Sequence, residues 1–399
     1  MMKALSLLAA LMLLATTAAP AGARDGPAPL RVGLTGDSIV EDGGVTSTTN
    51  LAAAVRSELR RLGYDARGWG YVPAHGSTPH LQADGTVTAA PWRFAGPWTF
   101  LGLTPFYDPV SPIAHVLTSP FGADGHAVES ASGLATATAE ISGDRFAVLF
   151  VRAPDAGSFR FSVDGRTRTV AAQAATVDGG GTAWLNAPRD GRLRHLIEVA
   201  PLDGTLRFSG VYSERAPDPS RPSVAVMSLG RSCACAADAF PPGQRQALGA
   251  LRLDLTVIMF GTNDQPALAA AGDAGARERV IAGLSDRAAL ALRHGGGCLI
   301  VPPARNARPL AEQYELRRLE HAAAAQAGCT YAPVFRLLWT GRGSVAAGYT
   351  VDGIHPTPAG YRLMAGALAP LIGKAAAKRM MITPAPKEHA TLSKRTRGD

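Results

Sequence analysis

Three short polar clusters, two closing apolar runs and one just before the last expected helix, carry the groups in this chain that could do covalent chemistry: Gly36-Asp37-Ser38, Gly261-Thr-Asn263-Asp264 and Asp352-Gly-Ile-His355. Ser38 is the candidate nucleophile, because Arg31 to Thr35 runs as a strand into a turn that can lift a hydroxyl out of a sheet. A hydroxyl near its free pKa attacks poorly unless an imidazole takes its proton during attack. A carboxylate can hold that imidazole in one tautomer, and a carboxamide can donate to an oxyanion, a contact whose loss typically costs roughly 10² to 10³ in rate. Singly, each cluster has a plainer reading: a polar turn for Gly36-Asp37-Ser38 or Asn263, a cap for Asp352, a loop histidine for His355.

The elements that must position these groups read as α/β at both ends of the chain. Val32 and Leu34 alternate as in a half-buried strand, Gly36 permits a sharp turn, and Leu51, Val55, Leu59 and Leu62 mark one helix face. In open α/β sheets, ligands bind at such strand ends. Arg67 to Pro73 suggests a second strand, opening into a long connection rich in Pro, Gly and Trp through Pro120. From Thr136 to Tyr212 the pattern becomes period-two, with runs at 145–151, 158–163, 166–171, 182–186, 193–199 and 205–212 and an Asp164-Gly165 turn, which predicts an antiparallel sandwich. Pro217, Pro219 and Pro222 read as the linker back. Strands are then expected at 224–229, 253–260, 297–302 and 328–334, with helices near 276–293, 310–326 and 358–372, an alternation that a parallel sheet requires.

Residues 1–23, with Lys3, an apolar run from Ala4 to Leu14 and Ala21-Gly22-Ala23, have the form of a secretory leader, so an extracytoplasmic protein is expected. The length of 399 residues exceeds one typical domain, which calls for two cores or one core with a large insertion. Formal charge is +8, but from Lys374 onward seven Lys/Arg against Glu388 and Asp399 leave +5 in a stretch whose last 20 residues lack apolar periodicity. A solvated tail is the expectation, with association to an anionic wall or envelope the other reading, and no basic helix or aromatic-basic motif suggests nucleic acid. Four cysteines allow three pairings, of which Cys298 with Cys329 is favoured because each opens one of two consecutive expected strands. Cys233 and Cys235 are too close for a Cys-x-x-Cys zinc site, and the histidines at 75, 80, 115, 126, 195, 294, 321 and 389 lack metal-type spacing beyond a loose 75/80 pair. No metal or cofactor is expected.

Taken in order, the three clusters resemble the SGNH, or GDSL-type, hydrolase family, over roughly 31–67 and 224–372. The resemblance implies a flavodoxin-like three-layer parallel sheet, here at 30–74 and 223–375; the period-two pattern adds an inserted connection and β-sandwich at 75–222, outside the resemblance, and the charge pattern a basic tail at 376–399. It also implies Ser38 as nucleophile, His355 as its general base, Asp352 as the residue orienting His355, and an oxyanion hole from the Ser38 amide, Asn263 and a glycine. Gly230 is the expected glycine. A Gly-x-x-Gly-Ala spacing would instead put Cys233 there, whose amide could serve if its φ is negative.

The function expected is hydrolysis of short-chain acyl esters, O-acetyl groups on a carbohydrate or cell-wall glycan. Trp92 and Trp98, in a stretch of glycines, prolines and polar residues, are the expected sugar-stacking side chains, with packing of the insert as the plainer alternative. Two other readings remain: an exported O-acyltransferase using the same residues, and a carbohydrate-binding protein with a vestigial site. The insert resembles non-catalytic carbohydrate-binding modules at the level of strand pattern.

Overall fold

The computed structural model describes residues 28–41, 50–75, 79–102, 113–116, 119–216, 218, 220–269, 274–293, 296–335 and 343–382. The leader, the linker residues Pro217 and Pro219, and the chain beyond residue 382 lie outside them.

Five parallel strands form the sheet that carries the polar clusters, in the order Val224–Gly230, Leu30–Gly36, Leu255–Met259, Gly297–Ile300, Thr330–Tyr331. In chain order this is 2-1-3-4-5, the flavodoxin-like arrangement with its switch point beside the first strand. Alternation along the strands splits the apolar side chains between two layers. Val32, Leu34, Val257 and Met259 pack under helices Leu51–Arg61 and Pro358–Ile382, and Ile258, Phe260 and Ile300 under helices Ala274–Arg293 and Leu310–Ala327. Asn50 caps the first of these helices by accepting from the Ala53 amide at 2.8 Å; Leu51, Val55 and Leu59 are buried, whereas Leu62, one residue past the helix, is exposed. Helix Pro358–Ile382 continues through residues where the tail was expected to begin, since Ala376 still reaches the core. A disulfide joins Cys298 to Cys329 (Cα–Cα 5.1 Å), the expected pairing, and Cys233 and Cys235 are free.

The segment between the first helix and Val224 forms two seven-stranded sheets stacked face to face around one core that includes Trp92, Phe94, Phe100, Phe146, Phe159, Phe161 and Phe208. One sheet is ordered 178–186, 145–152, 206–214, 127–130, 99–101, 115–116; the other runs 166–171, 158–163, 194–201, 136–142, 92–95, 87–89, 80–81. Two expectations are corrected here. Gly70–Pro73 is not a strand of the parallel sheet: it pairs antiparallel with Leu206–Glu214, Tyr71 opposite Tyr212, and so belongs to the sandwich. The stretch read as a long connection supplies strands to both sandwich sheets, because strands of two to four residues are too short to show a period. The insertion therefore leaves before a second parallel strand forms, and its two ends meet. Asp65 bridges Ser223, and the Val224 amide donates to the Asp65 carbonyl at 2.9 Å.

Sandwich and parallel sheet share a fourth apolar cluster, Tyr71, Ala147, Leu149 and Tyr212 against Met227, Leu229, Leu248 and Leu251. Arg31, on the strand that leads to Ser38, is buried against the sandwich: its Nη2 and Nε donate to Glu214 at 2.6 and 3.1 Å, and its guanidinium lies 5.1 Å from the Tyr212 ring centre. A buried ion pair contributes little net stability, but removing one partner strands a charge, typically at a cost of about 3–5 kcal/mol.

Candidate active site

Ser38 opens the one-turn helix Ser38–Glu41, immediately beyond the C-terminal end of the central strand. The turn closes because the amides of Val40 and Glu41 both donate to the Asp37 carbonyl, at 3.0 and 3.1 Å. Glycine is required at two neighbouring points of closest approach: a Cβ on Gly36 would strike Val40 and the Met259 carbonyl, and one on Gly230 would strike the Glu41 amide and Val40. The Asp37 side chain turns back to accept from the Ile39 amide at 3.1 Å. Burial pushes its carboxyl up to about 6, against the opposing pull of that amide.

Ser38 is half-buried, and its Oγ lies 2.9 Å from Nε2 of His355, 317 residues later. His355 Nδ1 lies 2.7 Å from Oδ2 of Asp352, whose Oδ1 accepts from the amides of Ile354 (2.9 Å) and His355 (2.8 Å). Burial alone would raise the Asp352 carboxyl, but these bonds to its charged form outweigh that and hold it below its ordinary value. The loop that presents both residues is tied across its base by the Val351 amide donating to the His355 carbonyl at 3.0 Å. Its tip, Gly353, takes a φ of +84°, and the Ala307 amide donates to the Gly353 carbonyl at 2.9 Å, seating the loop on the segment after the fourth strand. A hydroxyl, an imidazole and a carboxylate in this relation can pass the hydroxyl proton to Nε2 while the oxygen attacks a carbonyl.

The residues expected to form an oxyanion hole lie at the ends of the two flanking strands. Asn263 Nδ2 donates to the Ala234 carbonyl at 3.0 Å, which occupies one of its two N–H groups and leaves the other. Asp264 is buried and accepts from the amides of Ala236 (2.7 Å) and Ala237 (3.0 Å). Buried Arg287, sandwiched between the rings of Phe240 and Phe260, donates to the carbonyls of Cys235 (3.0 Å) and Ala236 (2.8 Å). Glu41 accepts from the Ser232 amide. So braced, the turn 231–238 holds Cys233 at φ +62°, in the left-handed region, so the negative φ set as a condition for its amide does not hold. Gly230 stands opposite Gly36 with the Arg231 amide donating to the Gly36 carbonyl. In a parallel ladder that leaves the Gly230 N–H pointing to the outer edge of the sheet, away from the strand that delivers Ser38.

Trp92 and Trp98, expected to stack on sugars, are core residues instead. Trp92 is 1% exposed, donates to the Pro73 carbonyl at 2.7 Å and meets Phe208 edge-on. Trp98 is 6% exposed, packs against Phe94 and donates to the Ala95 carbonyl at 3.1 Å. An edge of Trp98 reaches a cleft of about 720 Å³ on the sandwich, where Ser130 Oγ is bonded to the Pro97 carbonyl and Arg207 is paired with Glu129 and Asp155. Arg287 and Glu41 went unremarked in the sequence because nothing in their spacing links them to Ser232 or Cys235.

Residues 204–363 match the GDSL-like lipase/acylhydrolase family, a span that includes Asn263, Asp352 and His355 but not Ser38, which the insertion separates from it and the fold brings back. No curated protein matches the sequence. Solved structures similar to parts of the chain include family two carbohydrate esterases from Cellvibrio japonicus (13% identity, 64% of this chain and 92% of that one, TM-score 0.31) and from Clostridium thermocellum in complex with cellohexaose (13%, 65% and 98%, 0.31). A third is a GDSL-like lipase from Bacteroides thetaiotaomicron (21%, 38% and 76%, TM-score 0.31). The three-layer architecture and the strand-end site agree with that match, and residues 204–363 carry a GDSL-like lipase/acylhydrolase domain.

Proposed function

We propose that this protein is an ester hydrolase that removes short acyl groups, O-acetyl above all, from a carbohydrate or cell-wall glycan outside the cytoplasm, with Ser38 as nucleophile. The observation that carries the reading is the continuous relay Ser38 Oγ, His355 Nε2, His355 Nδ1, Asp352 Oδ2 at 2.9 and 2.7 Å. His355 takes the Ser38 proton as the hydroxyl adds to the ester carbonyl and returns it to the departing alcohol. The acyl-serine is then opened by water that His355 deprotonates in turn. The oxyanion is received by the Ser38 amide and the second N–H of Asn263. The backbone donor falls to Cys233 rather than Gly230: a left-handed residue inside a turn makes successive amides converge on an anion, and among the described residues the Cys233 amide has no acceptor.

Support for a short acyl group comes from the small side chains on the turns beside the relay, Ser232, Cys233, Ala234, Gly353 and Ala307. Support for a sugar comes from Tyr314, the one aromatic among the exposed large apolar side chains of the described residues, at 55% exposure. Its hydroxyl accepts from Arg305 at 3.2 Å on the segment that seats the His355 loop, which supports reading its exposed ring, in place of Trp92 and Trp98, as a stacking surface. Export is supported by the leader pattern at 1–23 and by the disulfide. The test is turnover on acetyl through palmitoyl esters and on an acetylated polysaccharide, with product analysis to separate free acetate from acyl transfer. The expected result is preference for acetyl, release of acetate, loss of about 10⁴-fold or more in Ser38→Ala, and a raised KM for the polymer alone in Tyr314→Ala. Preference for long chains, or near wild-type turnover by Ser38→Ala, overturns the reading.

A further inference from the structure

Ser38 and the inserted sandwich meet at a buried cluster of charges. Glu41, the last residue of the nucleophile's own turn, has one carboxylate oxygen bound to the Ser232 amide, next to Cys233. Its other oxygen, Oε1, lies 3.9 Å from Nε2 of His126, a sandwich residue 1% exposed that has no other partner for that nitrogen. His126 Nδ1 lies 3.0 Å from Oδ2 of Asp124, which is itself buried and accepts from Tyr71 at 3.3 Å. His75 stands edge-on to the His126 ring at 4.7 Å, and the Arg231 side chain covers Gly125. A neutral imidazole would carry one hydrogen for two facing carboxylates; an imidazolium supplies both. Burial by itself would lower His126, but Asp124 and Glu41 together carry it above its ordinary value, while burial and the neighbouring His126 press His75 down to about 3, leaving it neutral.

We propose that the sandwich acts on catalysis as a clamp: His126, held by Asp124, fixes the Glu41 carboxylate, and Glu41 fixes the Ser232 amide so that the adjoining Cys233 amide faces the oxyanion. His126 and Glu41 are then positioning residues, and the inference rests on the ester-hydrolase reading for its effect on turnover but not for the contact itself. The physical argument is one of counter-charge. The Glu41 side chain is only 8% exposed, and a carboxylate so buried must be paired or it recruits other donors. If the His126 charge is removed, the buried Glu41 carboxylate loses the cation facing it and with it the hold that keeps it on Ser232. The other braces on the turn, Asn263, Asp264 and Arg287, act on residues 234–237, and the Ala234 amide donating to the Arg231 carbonyl closes the turn around Ser232 and Cys233 without holding the Ser232 amide itself.

The experiment compares the full-length protein with His126→Gln, Asp124→Asn, Glu41→Gln and the double variant Glu41→Gln/His126→Gln. Residue-resolved amide hydrogen exchange is measured alongside kcat and KM on an acetyl ester. The Ser232 amide should exchange at least about 10-fold faster in His126→Gln, and less so in Asp124→Asn, while the Ala236 and Ala237 amides held by Asp264 stay within twofold of wild type as internal references. Turnover should fall about 10-fold in kcat with KM within twofold, the pattern of a lost transition-state contact. Glu41→Gln keeps an acceptor for Ser232 without a charge to pair, so adding His126→Gln to it should cost less than adding it to wild type. Ser232 exchange within twofold of wild type in folded His126→Gln and Asp124→Asn overturns the clamp, as does faster exchange with kcat unchanged. If wild type itself turns over no ester, the functional reading falls, and the exchange data still decide whether His126 holds the turn.

Discussion

Replacing Asp352 by asparagine tests the relay at its least visible point. Asp352 makes three hydrogen bonds in two directions: Oδ1 accepts from the Ile354 and His355 amides, and Oδ2 faces His355 Nδ1. An asparagine that keeps its oxygen on the two amides must turn its NH2 toward Nδ1. That forces the tautomer with the proton on Nε2, the nitrogen that has to accept from Ser38. Flipping the carboxamide restores the tautomer but sets a donor against two amide donors, losing two hydrogen bonds at about 1 kcal/mol each or more. The inactive arrangement is therefore the cheaper, and the variant also loses the carboxylate that steadies the imidazolium. A comparable substitution in a serine protease costs roughly 10⁴ in kcat, which is about 5.4 kcal/mol at 1.36 kcal/mol per decade. Asp352→Ala presents no opposing donor, so water can settle at Nδ1 and the loss should be smaller. The assay is kcat on an aryl acetate for wild type, Asp352→Asn and Asp352→Ala, with Ser38→Ala as the floor. Asp352→Asn within 10-fold of wild type, or less impaired than Asp352→Ala, would refute the tautomer argument.

Asp37 supplies a pH prediction. Its carboxyl is raised by burial to about 6 from an ordinary 3.8, so the stability associated with its protonated form is fully present below about pH 4 and lost as pH rises through 6. Asp37→Asn keeps an acceptor for the Ile39 amide and should raise Tm at pH 7, by up to about 3 kcal/mol in stability, with no gain at pH 4; an equal gain at both pH values would contradict the burial argument. Breaking the disulfide with Cys298→Ala/Cys329→Ala opens a loop of sequence separation 31 and should lower the denaturant midpoint by the equivalent of about 3–4 kcal/mol; a shift below about 1 would show that the reduced chain keeps these strands together. Gly230→Ala drives a methyl group into the Glu41 amide and Val40, and should cost about 1–3 kcal/mol and at least 10-fold in kcat, read by thermal melts and ester turnover; unchanged turnover would show that the Ser38 helix has room to move.

What was legible in the sequence was local. Polar clusters at strand ends mark Ser38 and Asn263, and one just before the last helix marks Asp352 and His355, because a strand end, a turn and the hydrogen-bonding repertoire of a side chain are all decided within a few residues. The same holds for the order of the α/β elements and the cysteine pair, since consecutive parallel strands place their starts side by side. The tertiary structure alone decided whatever depends on pairs far apart in the chain. Gly70–Pro73 has the composition of a strand, but which sheet takes it was settled by packing of Tyr71 on Tyr212. Trp92 and Trp98 are the same residue type whether they stack on a sugar or fill a core, and only the stacking of two sheets hides them. Gly230 looked like an oxyanion donor until the pairing register turned its amide outward, and Cys233 takes a left-handed conformation in a turn braced by Glu41, Asn263, Asp264 and Arg287, from three separate stretches. Backbone direction at such a point is set by the sum of distant hydrogen bonds rather than by the preference of the residue itself, and a linear sequence carries no record of that sum.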